Sequence, residues 1–265
     1  MPDDASFEPE LRVRDLVVDF ALEDGPLRVL DGVSFDVPRG RIVALVGESG
    51  SGKSLIALSI LRLLPPGARV RSGEVLRRGF DLMAASEAEL RIVRGRHIGI
   101  VFQDPLASFD PAMRAGAQVV EALTAHGWSA RDARARSLEL LALVGLPDPR
   151  GASSAYPHEL SSGLRQRALI AIAIACGPGL LIADEATSAL DVTTQAQILD
   201  LLSRLRVELN LSVLLITHDL GVVAELADEV LVLHRGRIVE HAPVAELFVR
   251  PLHDQTKALL GALAT

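Results

Sequence analysis

Eight consecutive residues constrain this chain more than any others: Gly47-Glu48-Ser49-Gly50-Ser51-Gly52-Lys53-Ser54. They follow the apolar run Ile42-Val43-Ala44-Leu45-Val46 and open into Leu55-Ile56-Ala57-Leu58-Ser59-Ile60-Leu61. Strand, glycine-rich turn and helix in that order make a phosphate-binding loop. Gly47 and Gly52 are expected to take backbone angles closed to other residues, turning successive amides inward around an anion. The helix starting near Gly52 adds the positive end of its dipole. Lys53 supplies a mobile cation for the outer phosphates, and Ser54 a hydroxyl for magnesium. A nucleoside triphosphate site is therefore expected over Gly47, Glu48, Ser49, Gly50, Ser51, Gly52, Lys53, Ser54 and Leu55.

Composition narrows the classes. A net charge of -7 argues against a general nucleic-acid binder, whose affinity rests on clustered Lys and Arg. Lys53 and Lys257 are the only lysines, so a chain that otherwise uses arginine keeps lysine in the phosphate loop. Hydrophobic residues make up 49% and aromatics 3%, which predicts an ample, aliphatic core. Cys176 is the sole cysteine, excluding an intrachain disulfide or a cysteine metal cluster, and is read as a small buried apolar residue. The acidic start Met1-Pro2-Asp3-Asp4-Ala5 lacks the order of a signal peptide. The most membrane-like run, Ala168 to Ala183, is shorter than a span and is broken by Gly177-Pro178-Gly179. It reads as a buried helix end, a turn and a buried strand, in a soluble, cytoplasmic chain.

In order, Leu11 to Phe20 and Val33 to Val37 alternate as half-buried antiparallel strands do, with turns at Asp31-Gly32 and Pro38-Arg39-Gly40. The helix from Lys53 is expected to end near Leu64. Ser86-Glu87-Ala88-Glu89 is a capping-box start for a short helix reaching Gly95. The strand His97 to Phe102 delivers Gln103 at its tip. Three helical patterns follow, Arg114 to His126, Arg131 to Val144 and Ser162 to Cys176, with no strand pattern between them. Strand-helix alternation then resumes: strand Leu180 to Asp184, helix Thr193 to Leu209, strand Ser212 to Thr217. A hairpin from Glu229 to Glu240 turns at Arg235-Gly236, and two short helices end the chain.

Chemistry is expected at strand tips. Leu180 to Ala183 is a buried run ending in Asp184-Glu185, and burying charge is costly without a compensating ion. Asp184 is read as the magnesium residue and Glu185 as the group that polarises the attacking water. His218, after Leu214-Leu215-Ile216-Thr217, can donate a hydrogen bond to a terminal phosphate. Gln103 can contact magnesium or the attacking water from a loop. The other six histidines show no metal-ligand spacing.

These parts occur in a telling order. The phosphate loop, Gln103, Leu160-Ser161-Ser162-Gly163-Leu164-Arg165-Gln166-Arg167, Asp184-Glu185, Ser188-Ala189-Leu190-Asp191 and His218 together resemble the ATP-binding subunit of ABC transporters. Phe102-Gln103-Asp104-Pro105, Tyr156-Pro157-His158-Glu159-Leu160 and Asp191-Val192-Thr193-Thr194-Gln195-Ala196-Gln197-Ile198-Leu199 resemble the dipeptide, oligopeptide and nickel importer ATPases more closely. The ending Thr256-Lys257-Ala258-Leu259-Leu260 fits as well, with Asp254-Gln255 where that family usually has Pro-Tyr.

The resemblance implies an α/β P-loop NTPase fold with a mainly parallel core sheet, an N-terminal antiparallel β subdomain and an inserted α-helical subdomain. One ABC ATPase domain would span 1–265, with about 1–113 and 177–265 as catalytic core and about 114–176 as the helical part. It implies ATP and Mg2+, the metal held by Ser54, Gln103 and Asp184. Ser161, Ser162, Gly163 and Asp191 would meet the nucleotide of a second ATPase subunit, and Glu185, His218 and Gln103 would serve hydrolysis. The segment from Gln103 to about Glu121 would touch two transmembrane permease subunits at the cytoplasmic face of the membrane, fed by an extracytoplasmic substrate-binding protein.

Three departures stand out. Ser162 replaces a glycine, which would strain a positive-φ backbone there and crowd the phosphate; it predicts pairing with a non-identical ATPase subunit. Ala186 replaces a proline. No aromatic lies between Phe20 and Phe35 to stack on adenine, where Leu27 sits and Phe20 is nearest. Competing readings are a soluble ABC ATPase acting on DNA or ribosomes and a P-loop kinase. The acidic charge and single phosphate loop oppose the first, and the signature segment has no role in the second.

Overall fold

The computed structural model describes residues 8–23, 25–188 and 190–261. The acidic start at Met1 to Ala5, and Ala189 of the Ser188 to Asp191 motif, lie outside them. Two compact units form, one from Met1–Leu90 with Ser212–Thr265 and one from Arg91–Leu211.

The first unit contains strands β1 (Leu11–Leu22), β2 (Gly25–Val37), β3 (Ile42–Val46), β4 (Ala68–Arg77) and β5 (Phe80–Asp81), with helix α1 (Lys53–Ile60) after β3. An antiparallel sheet runs β2-β1-β4-β5. Its inward residues Leu11, Val13, Leu16, Val18, Leu30 and Val33 are fully buried, each contributing about 1.5–3 kcal/mol of apolar burial. Asp31-Gly32 is not a turn between strands. Both residues lie inside β2, where one extra residue between Leu30 and Val33 makes a bulge against β1 and Gly32 takes φ +74.

The second sheet of this unit orders β10 (Arg237–Pro243), β9 (Glu229–His234), β3 and β8 (Ser212–Ile216). β3 pairs in parallel with β8 and β9, and β10 closes an antiparallel hairpin on β9. All five residues of β3 and of β8 are buried, as continuous apolar runs require. Short helices α9 (Leu220–Leu226), α10 (Val244–Val249) and α11 (Asp254–Gly261) follow the strands. Helix α1 stops at Ile60 rather than near Leu64, because Arg62 takes φ +51 and turns the chain.

The chain passes between units within α2 (Glu87–Arg96), whose capping box is formed: Ser86 N donates to Glu89 Oε2 at 2.8 Å and Glu89 N to Ser86 Oγ at 3.3 Å. In the second unit β6 (Ile98–Val101) pairs in parallel with β7 (Leu180–Asp184). Between them lie α3 (Pro105–Ser108), α4 (Ala115–Thr124), α5 (Ala130–Leu143), α6 (Pro149–Ser154), a 3-10 turn at Pro157–Glu159 and α7 (Ser162–Ala173); α8 (Val192–Glu208) follows β7. Cys176 is half-buried rather than buried, its thiol 3.7 Å from the Ala122 carbonyl oxygen, and burial raises its pKa. Among the described residues no helix is long and apolar enough to cross a membrane.

Candidate functional site

In the first unit the buried strand β3 delivers residues 47–52 as a tight loop, closed by Ser51 N donating to the Glu48 carbonyl at 3.2 Å. Gly52 begins α1 at φ +107, a conformation that leaves the helix amides uncovered by any side-chain cap. Gly47 is needed for a different reason from the one expected. Its φ is not positive; a Cβ there would collide with the Leu233 carbonyl oxygen of β9. Lys53 is 6% exposed, and its Nζ donates to the carbonyls of Gly47 and Glu48, each at 2.9 Å. Ser51 Oγ is buried with no hydrogen-bond partner among the described residues, an unsatisfied donor within the loop. Leu55 packs in the core, and Ser54 stands beside it on the first turn of α1.

β8 lies beside β3 with Ile216 opposite Leu45, so His218 and the phosphate loop follow the same ends of adjacent parallel strands. That end of a parallel sheet is where α/β folds collect ligands. Asp219 fixes the turn by accepting from Gly221 N at 2.8 Å and Val222 N at 3.3 Å. His218 itself is exposed.

In the second unit β6 and β7 match Val101 with Ala183, and the register carries Gln103 and Glu185 to the same end. Gln103 Nε2 donates to Glu185 Oε2 at 2.8 Å. Glu185 holds φ +47, a left-handed backbone rare for a side-chain residue and costing of order 1–3 kcal/mol. Asp184, at the end of β7, is 5% exposed. Within this unit, the Asp184 carboxylate and the Gln103 amide oxygen are hard oxygen donors of the kind magnesium takes.

Ser161 caps α7, accepting from Leu164 N at 3.4 Å. Ser162 is the first residue of that helix and its φ is not positive, so the strain expected from a non-glycine residue does not arise. The glycine that matters is Gly163: a Cβ there would stand 2.6 Å from Thr194 Cγ2 on α8. Thr194 is in turn tied to Asp191, which caps α8 by accepting from Thr194 N at 3.0 Å and Thr194 Oγ1 at 2.7 Å. The Thr194 hydroxyl and amide hold the Asp191 carboxyl below its ordinary pKa.

Phe20 and Leu27 are direct cross-strand partners on β1 and β2, and Leu27 is exposed. Sequence reading missed the hydrogen bond from Gln255 Nε2 to Glu48 Oε1 at 2.7 Å, which no local motif signals across 207 residues.

The family model described as "ABC transporter" matches residues 30–188. A probable peptide ABC transporter ATP-binding protein of Sinorhizobium fredii is 50% identical over 96% of this chain and 76% of its own length. The oligopeptide transport ATP-binding protein OppD of Bacillus subtilis is 46% identical over 96% of this chain and 72% of its length. Among solved structures, a dimeric ATP-binding cassette in a post-hydrolysis state bound to ADP and Pi aligns with a TM-score of 0.78. It is 27% identical and covers 88% of this chain and 98% of its own.

Proposed function

The chain belongs to the ABC transporter family as one of its ATPase subunits, and from that premise we propose that it powers a peptide importer. The single observation that carries the peptide reading is the match, along nearly the whole chain, to ATP-binding proteins named for peptide, oligopeptide and dipeptide transport.

The reaction is ATP hydrolysis. Gly47 to Leu55 cradle the phosphates, Lys53 neutralises the outer ones, and the orphan Ser51 hydroxyl adds a donor. Ser54, Asp184 and Gln103 are the residues for magnesium, which supplies charge neutralisation at the phosphates when bound. Glu185 takes the proton of the attacking water, with Gln103 orienting its carboxylate. His218 donates to the terminal phosphate as charge builds there.

Ser161, Ser162, Gly163 and Asp191 serve the nucleotide of a second ATPase subunit, at the amino-terminal end of α7 where free amides favour an anion. That second subunit is a non-identical one, leaving one composite site stronger than the other: Ser162 carries no backbone strain, but it places a side chain where the usual glycine leaves room for the phosphate. Two permease subunits meet the segment after Gln103, where Leu106 is 52% exposed and Gln118 braces Asp110 and Met113 through their backbone. The subunit then sits at the cytoplasmic face of the membrane, with a substrate-binding protein delivering peptide on the other side.

Reconstituting the full complex in vesicles and measuring ATP-dependent uptake of labelled dipeptides and oligopeptides tests this. Peptide-stimulated hydrolysis and uptake, both lost with Glu185→Gln, are expected. Stimulation by another solute class and not by peptides overturns the substrate reading. A full rate from the chain as a homodimer overturns the non-identical pairing.

A further inference from the structure

Glu48 is held from two directions. Its backbone carbonyl accepts from Lys53 Nζ at 2.9 Å, and its side-chain Oε1 accepts from Gln255 Nε2 at 2.7 Å. Gln255 stands on the first turn of α11, and that helix does not hang loosely from the unit. The Glu240 carboxylate of β10 caps it, accepting from Leu252 N at 2.8 Å and His253 N at 2.9 Å and also bonding the Thr256 hydroxyl. Glu240 is 8% and Thr256 1% exposed, so this anchor is interior. His253 Nδ1 accepts from Gln255 N at 3.1 Å, fixing the backbone that carries the amide.

We propose that Gln255 is a positioning residue for the phosphate loop: through Glu48 it sets the loop geometry that holds Lys53, and so tunes affinity for nucleoside triphosphate. The proposal rests on the reading of residues 47–55 as the nucleotide site. Its physical basis is the shared residue. Glu48 cannot shift without moving either the hydrogen bond to α11 or the carbonyl that orients the ammonium. A neutral amide donor suits the charged acceptor, and hydrogen bonds to charged groups are the stronger kind. A carboxylate at position 255 would instead face Glu48 with like charge.

Titration of the chain with a fluorescent ATP analogue, alongside thermal melting, tests this. Gln255→Ala is expected to weaken binding about threefold to tenfold, in line with one lost solvent-exposed hydrogen bond, and Gln255→Glu more. Combining Gln255→Glu with Glu48→Gln reverses donor and acceptor and is expected to recover most of the affinity that Gln255→Glu loses. In the assembled ATPase the same variants should raise KM for ATP and leave kcat nearly unchanged. Altered melting temperature with unchanged affinity in every variant would mean a purely structural contact and overturn the proposal. Failure of the double variant to recover would do so too. Absence of nucleotide binding by the unaltered chain would overturn the reading of the loop itself, which separates the two failures.

Discussion

Gln103 donates its side-chain amide to the carboxylate of Glu185 at 2.8 Å, joining the tips of two parallel strands. Gln103 helps hold the Glu185 carboxylate in place, so the two residues should fail differently. On its proposed role, Glu185→Gln removes the proton acceptor and is expected to lower ATP turnover by about 10²–10⁴-fold while ATP still binds. Gln103→Ala leaves the acceptor and should cost less in kcat. Steady-state hydrolysis with parallel nucleotide-binding titrations checks both, and equal losses would contradict the division of roles.

Gly163 and Ser162 should behave oppositely to a reading based on backbone strain. Gly163→Ala drives a methyl against Thr194 Cγ2 and is expected to cost about 1–3 kcal/mol of stability. Thr194→Ser removes the obstructing methyl and keeps the hydroxyl bonded to Asp191, so the double variant should regain most of the loss. Ser162→Gly relieves nothing and should leave stability unchanged or slightly lower. Chemical denaturation of the four variants decides the matter.

Gly47→Ala is expected to destabilise the first unit by about 1–3 kcal/mol through collision with the Leu233 carbonyl, and to weaken nucleotide binding with it. The collision is with backbone, so no side-chain substitution at position 233 should rescue it. Urea melts of the single and double variants provide the check.

Stability should fall in acid partly through Glu240. Burial alone would raise its pKa, but the Thr256 hydroxyl and the Leu252 and His253 amides prevail and hold it below the ordinary 4.5. Its folded-state pKa is therefore depressed. The stabilisation is present above the unfolded-state value and is lost as pH falls through the folded one. Denaturant melts between about pH 3 and 6, which span the ordinary glutamate range, should show a decline that Glu240→Gln flattens.

The core strands and the loop they present were readable because continuous apolar runs ending in Gly or Asp are dense local signals. β4 was not: its residues Arg69, Arg71, Ser72, Glu74 and Arg77 are polar and only Val75 is buried, since one face of that strand meets water. Gly73, at φ +108 against Leu16, breaks the alternation further. Helix α9 was hidden for the opposite reason, being seven residues long and too short to establish a period. At the candidate site the motifs stand out in the sequence, but the packing reasons for two of their glycines do not. Gly47 and Gly163 are required by what passes close to them, and proximity of distant segments leaves no trace in local spacing. The Glu48–Gln255 bond belongs to the same class.

Given the proposed role of Glu185, its left-handed backbone sets stability and activity against each other at one position. Glycine would relax that torsion, so random substitution accompanied by screening for heat resistance alone would tend to enrich inactive chains there. Thermostabilised versions of this ATPase should therefore be sought with the acid at 185 locked, drawing gains from elsewhere.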